Sequence, residues 1–104
     1  KALIYVQHHF RSPIGLEQAA RMSGLSANYF SELFSRQTGF TFKEYLRDMR
    51  LQFAHSPIAT TTLPITEICF AAGFNTLPYF ERAFKLRYGR SPRSARMHEA
   101  QLLD

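Results

Sequence analysis

The chain has no tryptophan and a single cysteine, Cys69. One thiol excludes an internal disulfide framework and a cysteine-rich zinc site, and it suits a reducing compartment such as the cytoplasm. No apolar run is long enough to span a bilayer, and no signal-peptide pattern opens the chain. No membrane contact is therefore expected. The histidines, His8, His9, His55 and His98, stand at no zinc-ligand spacing such as H-E-x-x-H. They read as solvated or half-buried helix residues, and no metal site is expected. Acidic residues are few and scattered, so no acid/base pair can be nominated. Cys69 follows Ile68 on the apolar face of a short helix and reads as a small core thiol rather than a nucleophile. There is no phosphate-binding glycine loop. These absences leave neither an enzyme nor a bound cofactor as the expectation.

What is present is basic charge and aromatic bulk. The 104 residues suffice for one compact domain, or for two small subdomains sharing a helix. Hydrophobic residues make up 45%, with ten Phe and five Tyr to fill a core, so disorder is not expected. Net charge is +5 and the isoelectric point about 9.8, which favours a polyanionic partner. Between Arg82 and Arg96 stand six basic residues (Arg82, Lys85, Arg87, Arg90, Arg93, Arg96) and no acidic one. The chain begins at Lys1 rather than Met, so it reads as a piece of a longer protein.

The tract from Gly24 to Phe34 returns between Gly73 and Phe84. Gly24 matches Gly73 at an offset of 49, whereas Tyr29, Phe30, Phe34 and Gly39 match Tyr79, Phe80, Phe84 and Gly89 at an offset of 50. One extra residue therefore lies between the second glycine and its Tyr-Phe pair, where a turn tolerates it. Each copy reads as a short helix, a glycine turn and a second helix, the sequence form of a helix-turn-helix. Two such units in a basic chain point to DNA.

Helical spacing of apolar residues predicts the elements. A first helix covers about Ala2 to Arg11 and is broken at Ser12-Pro13-Ile14-Gly15. A short helix runs from Leu16 to Met22, then Gly24 supplies a positive φ. Ser26 caps the next helix, about Ala27 to Thr38, which is expected to bury Tyr29, Phe30, Leu33 and Phe34 before Gly39 closes it. A longer helix is predicted from Phe42 to His55, ended by Ser56-Pro57 because proline disfavours helical geometry in the residue before it. Ile58 to Pro64 is the best linker candidate. The second unit has a short helix, Ile65 to Ala72, and a turn at Gly73. Asn75 or Thr76 caps a helix extending to Tyr88; with Asn75 as cap, Pro78 falls at the third helical position, where no N–H is needed. A short turn or helix follows from Arg93. No strand pattern is present. The reading is all-α, about seven helices: a first helix-turn-helix subdomain over about 1–41, a joining helix over 42–56 and a second subdomain over 57–104.

The chain resembles the DNA-binding domain of AraC-type transcription regulators from about Leu3 to Arg96. The motifs that carry the resemblance are Leu16-Glu17-Gln18-Ala19-Ala20, Gly24-Leu25-Ser26, Tyr29-Phe30-x3-Phe34, Gly39 and Tyr45-Leu46-x3-Arg50-Leu51. They continue as Ile65-Thr66-Glu67-Ile68, Ala72-Gly73-Phe74, Tyr79-Phe80-x3-Phe84-Lys85 and Gly89-x-Ser91-Pro92. The resemblance implies double-stranded DNA as partner, with two recognition helices entering successive major grooves. It also implies contact with RNA polymerase and an N-terminal effector or dimerisation domain elsewhere in the protein. Matched position by position, the first recognition helix exposes Ala27, Asn28, Ser31, Glu32 and Ser35 toward bases. The second exposes Thr76, Leu77, Pro78, Glu81 and Arg82. Phosphate contacts fall to Arg36, Thr41, Lys85, Arg87, Arg90, Ser91, Arg93 and Arg96.

The sequence departs from the family pattern in places. Glu32 stands where a basic residue is frequent, which removes an arginine–guanine contact there. Ala54-His55-Ser56-Pro57-Ile58 should shorten or kink the joining helix. Ala95, not an aromatic, precedes Arg96. Leu77 and Pro78 form poor hydrogen bonds and suit thymine methyls or DNA shape. Two rival readings stay open. One is a helical protein-interaction module, favoured by Glu32 and Glu81 on the would-be reading faces. The other is the accessory DNA-binding part of a DNA-repair enzyme.

Overall fold

The periodic apolar segments fold as seven α-helices among the described residues, 2–103 of the computed structural model. They are α1 (Ala2–His9), α2 (Leu16–Met22), α3 (Ala27–Thr38), α4 (Phe42–Thr60), α5 (Ile65–Ala71), α6 (Leu77–Tyr88) and α7 (Pro92–Leu103). The chain divides into two units, Lys1–Met49 and Arg50–Asp104, with the boundary inside α4. Each unit has its own core.

In the first unit Val6, Ile14, Ala19, Ala20, Phe30, Phe34, Phe42 and Leu46 are buried together. Phe34 is the hub. Its ring meets Phe42 edge-on at 5.5 Å and Tyr45 edge-on at 5.2 Å, the arrangement the ring quadrupole favours. The second unit buries Leu51, Ala54, Ile58, Ile68, Cys69, Ala72, Phe74, Phe80, Phe84 and Ala95. There Phe84 is the hub, tilted against Phe80 at 5.7 Å and Tyr88 at 4.7 Å, while His55 lies parallel to it at 6.1 Å. Burial pushes the Cys69 thiol up to about 11, helped by the Glu81 charge, so it stays a neutral core group as its sequence position suggested.

The two helix-turn-helix turns share one motif. Leu25 N–H donates to the Ala20 carbonyl and Gly24 N–H to that of Arg21. Phe74 and Gly73 repeat this with Cys69 and Phe70. That is the paired 6→1 and 5→2 closure of a helix end, and it requires a left-handed residue at the glycine. Gly24 has φ +72° and Gly73 φ +105°. The extra residue of the second copy is Asn75, between Phe74 and the capping residue Thr76. Thr76 is thus the cap, and Pro78 stands at the second helical position rather than the third.

The structure corrects several expectations. Tyr29 is exposed, at 49%, not buried. Its counterpart Tyr79 packs against the Phe74 ring at 6.1 Å, whereas Leu25 replaces that ring in the first unit and leaves Tyr29 uncovered. The first helix ends at His9, two residues early, where Ser12 N–H turns back onto the His9 carbonyl. The final helix is no short turn; it runs twelve residues.

The largest correction concerns α4, which passes through Pro57 and ends at Thr60. Proline inside a helix costs about 3 kcal/mol. Several interactions offset it. Ile58 is fully buried in the second core, worth about 1.5–3 kcal/mol. Thr60 Oγ1 donates to the Ser56 carbonyl at 2.8 Å and Thr61 Oγ1 to the Pro57 carbonyl at 2.6 Å. Two of the three threonines expected in a linker therefore close the helix instead.

Candidate nucleic-acid interface

A recognition helix must be capped, seated by one face and open on the other. In α3 the cap is Ser26, whose hydroxyl accepts from Tyr29 N–H at 3.2 Å. Phe30 and Phe34 seat the helix. Asn28 and Glu32 are exposed, and Ser31 and Ser35 are half-buried beside them. Ala27 does not join them freely: it packs against the first core.

In α6 Thr76 caps by position only, because its side chain makes no cap hydrogen bond. Pro78 needs no partner at its place in the first turn. Phe80 and Phe84 seat the helix, while Thr76, Pro78, Glu81, Arg82 and Lys85 are exposed. Leu77 is half-buried and packs on the second core, so it shares the structural role of Ala27 at the matching first helical position. The Cys69 thiol approaches the Thr76 carbonyl at 3.7 Å, linking α5 to the start of α6.

The phosphate candidates differ in their surroundings. Arg36, Lys85, Arg87, Arg90 and Arg93 are exposed. The Arg87 guanidinium lies over the Tyr88 ring, 4.8 Å from its centre. Ser91 caps α7 through its hydroxyl, which accepts from Ser94 N–H at 3.1 Å. Arg90, Ser91, Arg93, Ser94, Met97 and His98 line a shallow surface recess of about 330 Å³. The sequence signal for Ser94 and His98 is the four-residue spacing that puts the two on one face of α7, beside Arg90 just ahead of that helix.

Thr41 has different company. Its N–H donates to Glu44 Oε1 at 3.0 Å, and its hydroxyl accepts from Glu44 N–H at 3.0 Å. This closed capping box satisfies both groups reciprocally. The Thr41 N–H bond, then the Thr41 hydroxyl, hold the Glu44 carboxyl below its ordinary pKa. A phosphate approaching Thr41 would meet the Glu44 carboxylate held beside it. Arg96 is half-buried, with its Nε donating to the Ile58 carbonyl at 3.0 Å. Arg50 of α4 lies near Tyr79; burial pulls its guanidinium below the ordinary value.

Among the described residues no group of three or more His, Cys, Asp and Glu could hold a metal ion. None of the described helices is long and apolar enough to cross a membrane.

Comparison with known proteins agrees with this geometry. A family model described as a helix-turn-helix domain matches residues 19–98. The regulatory protein SoxS of Salmonella typhimurium is 31% identical over 88 residues, 85% of this chain and 82% of that protein. The C-terminal domain of AraT, a response regulator from Geobacillus stearothermophilus, superposes with a TM-score of 0.87 at 35% identity, over 93% of this chain and 81% of that one. A transcriptional regulator of the AraC-type DNA-binding class from Chromobacterium violaceum gives 0.84 at 25% identity, over 96% of this chain and 89% of its own. Two equivalent helix-turn-helix units, a family match across most of the chain and these relatives lead to one conclusion: the chain belongs to the AraC-type helix-turn-helix family of transcription-regulator DNA-binding domains.

Proposed function

We propose that this domain binds double-stranded DNA in a sequence-selective way, with α3 and α6 each presented to a major groove of one duplex. The observation that carries the reading is the open face of α6: Glu81, Arg82 and Lys85 exposed above a seat of Phe80 and Phe84. Arg82 is the strongest base reader, because a guanidinium can donate two parallel bonds to guanine. Asn28, Ser31, Ser35 and Glu32 form the first reading face, and an ionised Glu32 can only accept, which suits a cytosine amino group. Arg36, Lys85, Arg87, Arg90, Ser91 and Arg93 hold phosphates.

The domain works within a regulator that carries an effector or dimerisation domain N-terminal to it and meets RNA polymerase. The AraT structure supports the first part, since it is itself a C-terminal domain. Exposed Glu32 and Glu81 favour one alternative, a protein-binding module.

Titration of a duplex enriched from a random pool decides between them. With about six phosphates neutralised, log K falls against log salt with a slope near −5. A slope near zero, or equal affinity for unrelated polyanions, would overturn DNA binding. Footprinting of the monomer tests the two readers: protection of about 15–20 base pairs is expected, against under about one turn for a single reader.

A further inference from the structure

We propose that Arg96 does not touch DNA but is the positioning residue that seats α7 on the C-terminal end of α4, and through that seat presents Arg90, Ser91 and Arg93 to a phosphate. The last four carbonyls of a helix have no partner inside it, and the C-terminal end attracts cations. The last turn of α4 contains no basic residue. The Pro57 carbonyl is served by Thr61, through both its N–H and its hydroxyl. The Ile58 carbonyl receives Arg96 Nε from 38 residues away.

Position on α7 explains why Arg96 differs from its neighbours. Pro92 is fully buried and Ala95 is 8% exposed. Together with Arg96 they form the inner face at the spacing of helix neighbours. Arg93, Ser94 and Met97 are exposed on the outside. Nη2 of Arg96 is itself buried, with no hydrogen-bond partner. A guanidinium so placed has its direction set by the Nε bond, and withdrawing it toward a phosphate would strand the Ile58 carbonyl. Lysine cannot reproduce this, since it is a point charge without the planar Nε–H.

This inference rests on the phosphate role proposed for the α7 edge, so its test has an arm without DNA. In the free protein the Arg96 Nε–H should give a slowly exchanging proton resonance. On addition of the selected duplex it should stay unshifted while the Arg90 and Arg93 side-chain signals move. Rapid exchange in the free protein, or a shift on DNA binding, overturns the proposal. In the second arm, Arg96→Lys is measured at a temperature where circular dichroism shows it folded. Its affinity should fall about tenfold or more. Combining it with Arg93→Ala should give less than the sum of the two losses, because both act on one contact. Affinity like the parent's in Arg96→Lys, or strict additivity, overturns the positioning role. If Arg96→Lys does not fold, the exchange arm decides alone. Failure of the parent to bind any duplex would refute the DNA reading while leaving the Nε–H result to judge the seat.

Discussion

The two helix-turn-helix units share a scaffold and differ in what they show to a partner. Their turns close with the same pair of backbone hydrogen bonds, and their hubs, Phe34 and Phe84, sit at equivalent places. The divergence lies at helix starts. α3 opens under a Ser26 hydroxyl cap, while α6 opens without one, after an extra residue and with a proline in its first turn. Helix α4 starts with the Thr41–Glu44 box, closed by a carboxylate. Its counterpart α7 starts with Ser91 and Ser94, neutral and flanked by Arg90 and Arg93. The rings that seat the two helices are kept, Phe30 and Phe34 in α3 and Phe80 and Phe84 in α6, whereas surface positions are free to specialise. The second unit carries the acid-free basic run from Arg82 to Arg96, with Arg90 and Arg93 exposed.

The largest expected effect should treat both units alike. Phe84→Ala and Phe34→Ala each remove a buried ring and should cost about 3–5 kcal/mol. Hydrogen exchange should show Phe84→Ala opening the second core and Phe34→Ala the first. A Phe84→Ala variant as protected as the parent would refute the hub assignment.

Gly73→Val and Gly24→Val probe the turns. A β-branched residue at positive φ is a steric outlier, with a cost of order 1–3 kcal/mol. The strain should be larger at Gly73, whose φ of +105° lies farther from the left-handed helical well than the +72° of Gly24. Chemical denaturation ranks the two; a reversed order would show that neighbouring side chains, not φ, set the penalty.

The reading faces should separate in specificity. Arg82→Ala should lose about 1–3 kcal/mol of discrimination at one or two base pairs, while Arg93→Ala should weaken all sequences alike. Selection from a random pool reads both. If Arg82→Ala keeps the parent preference at every position, Arg82 serves a phosphate or nothing.

The smallest effects concern the helix starts. Ser94→Glu should close a carboxylate box on α7 and weaken DNA binding roughly two- to fivefold, measured at fixed salt. An unchanged affinity would remove the α7 edge from the interface. In the first unit the lowered Glu44 pKa makes the box stabilising above the ordinary carboxylate pKa. That contribution is lost as pH falls through the lower folded value. The acid limb of the melting curve should therefore be shallower in Glu44→Gln than in the parent. Identical limbs would mean that the box adds nothing.

Much of this architecture was legible because it is local. Helical spacing placed Phe30, Phe34, Phe80 and Phe84 inside, and the glycines marked both turns. The same spacing turns Asn28, Glu32, Glu81 and Arg82 outward, and they are exposed. Ala27 and Leu77, expected among the base readers, are half-buried and pack on their unit's core, a contact that the periodic pattern within one helix does not contain.

By itself the sequence determined the helices, the duplicated turn, the apolar seats and the basic balance, all set by intervals of a few residues. Tertiary structure alone decided the exposure of Tyr29, the passage of α4 through Pro57 and the diversion of Arg96. Tyr29 lies open because no ring covers it where Phe74 covers Tyr79. Pro57 is tolerated because Ile58 enters a core supplied by α5, α6 and α7. Arg96 turns inward because a helix 38 residues earlier ends with a carbonyl in need of a donor. In each case the deciding group lies outside the residue's own helix, so its energy enters only once the chain has folded.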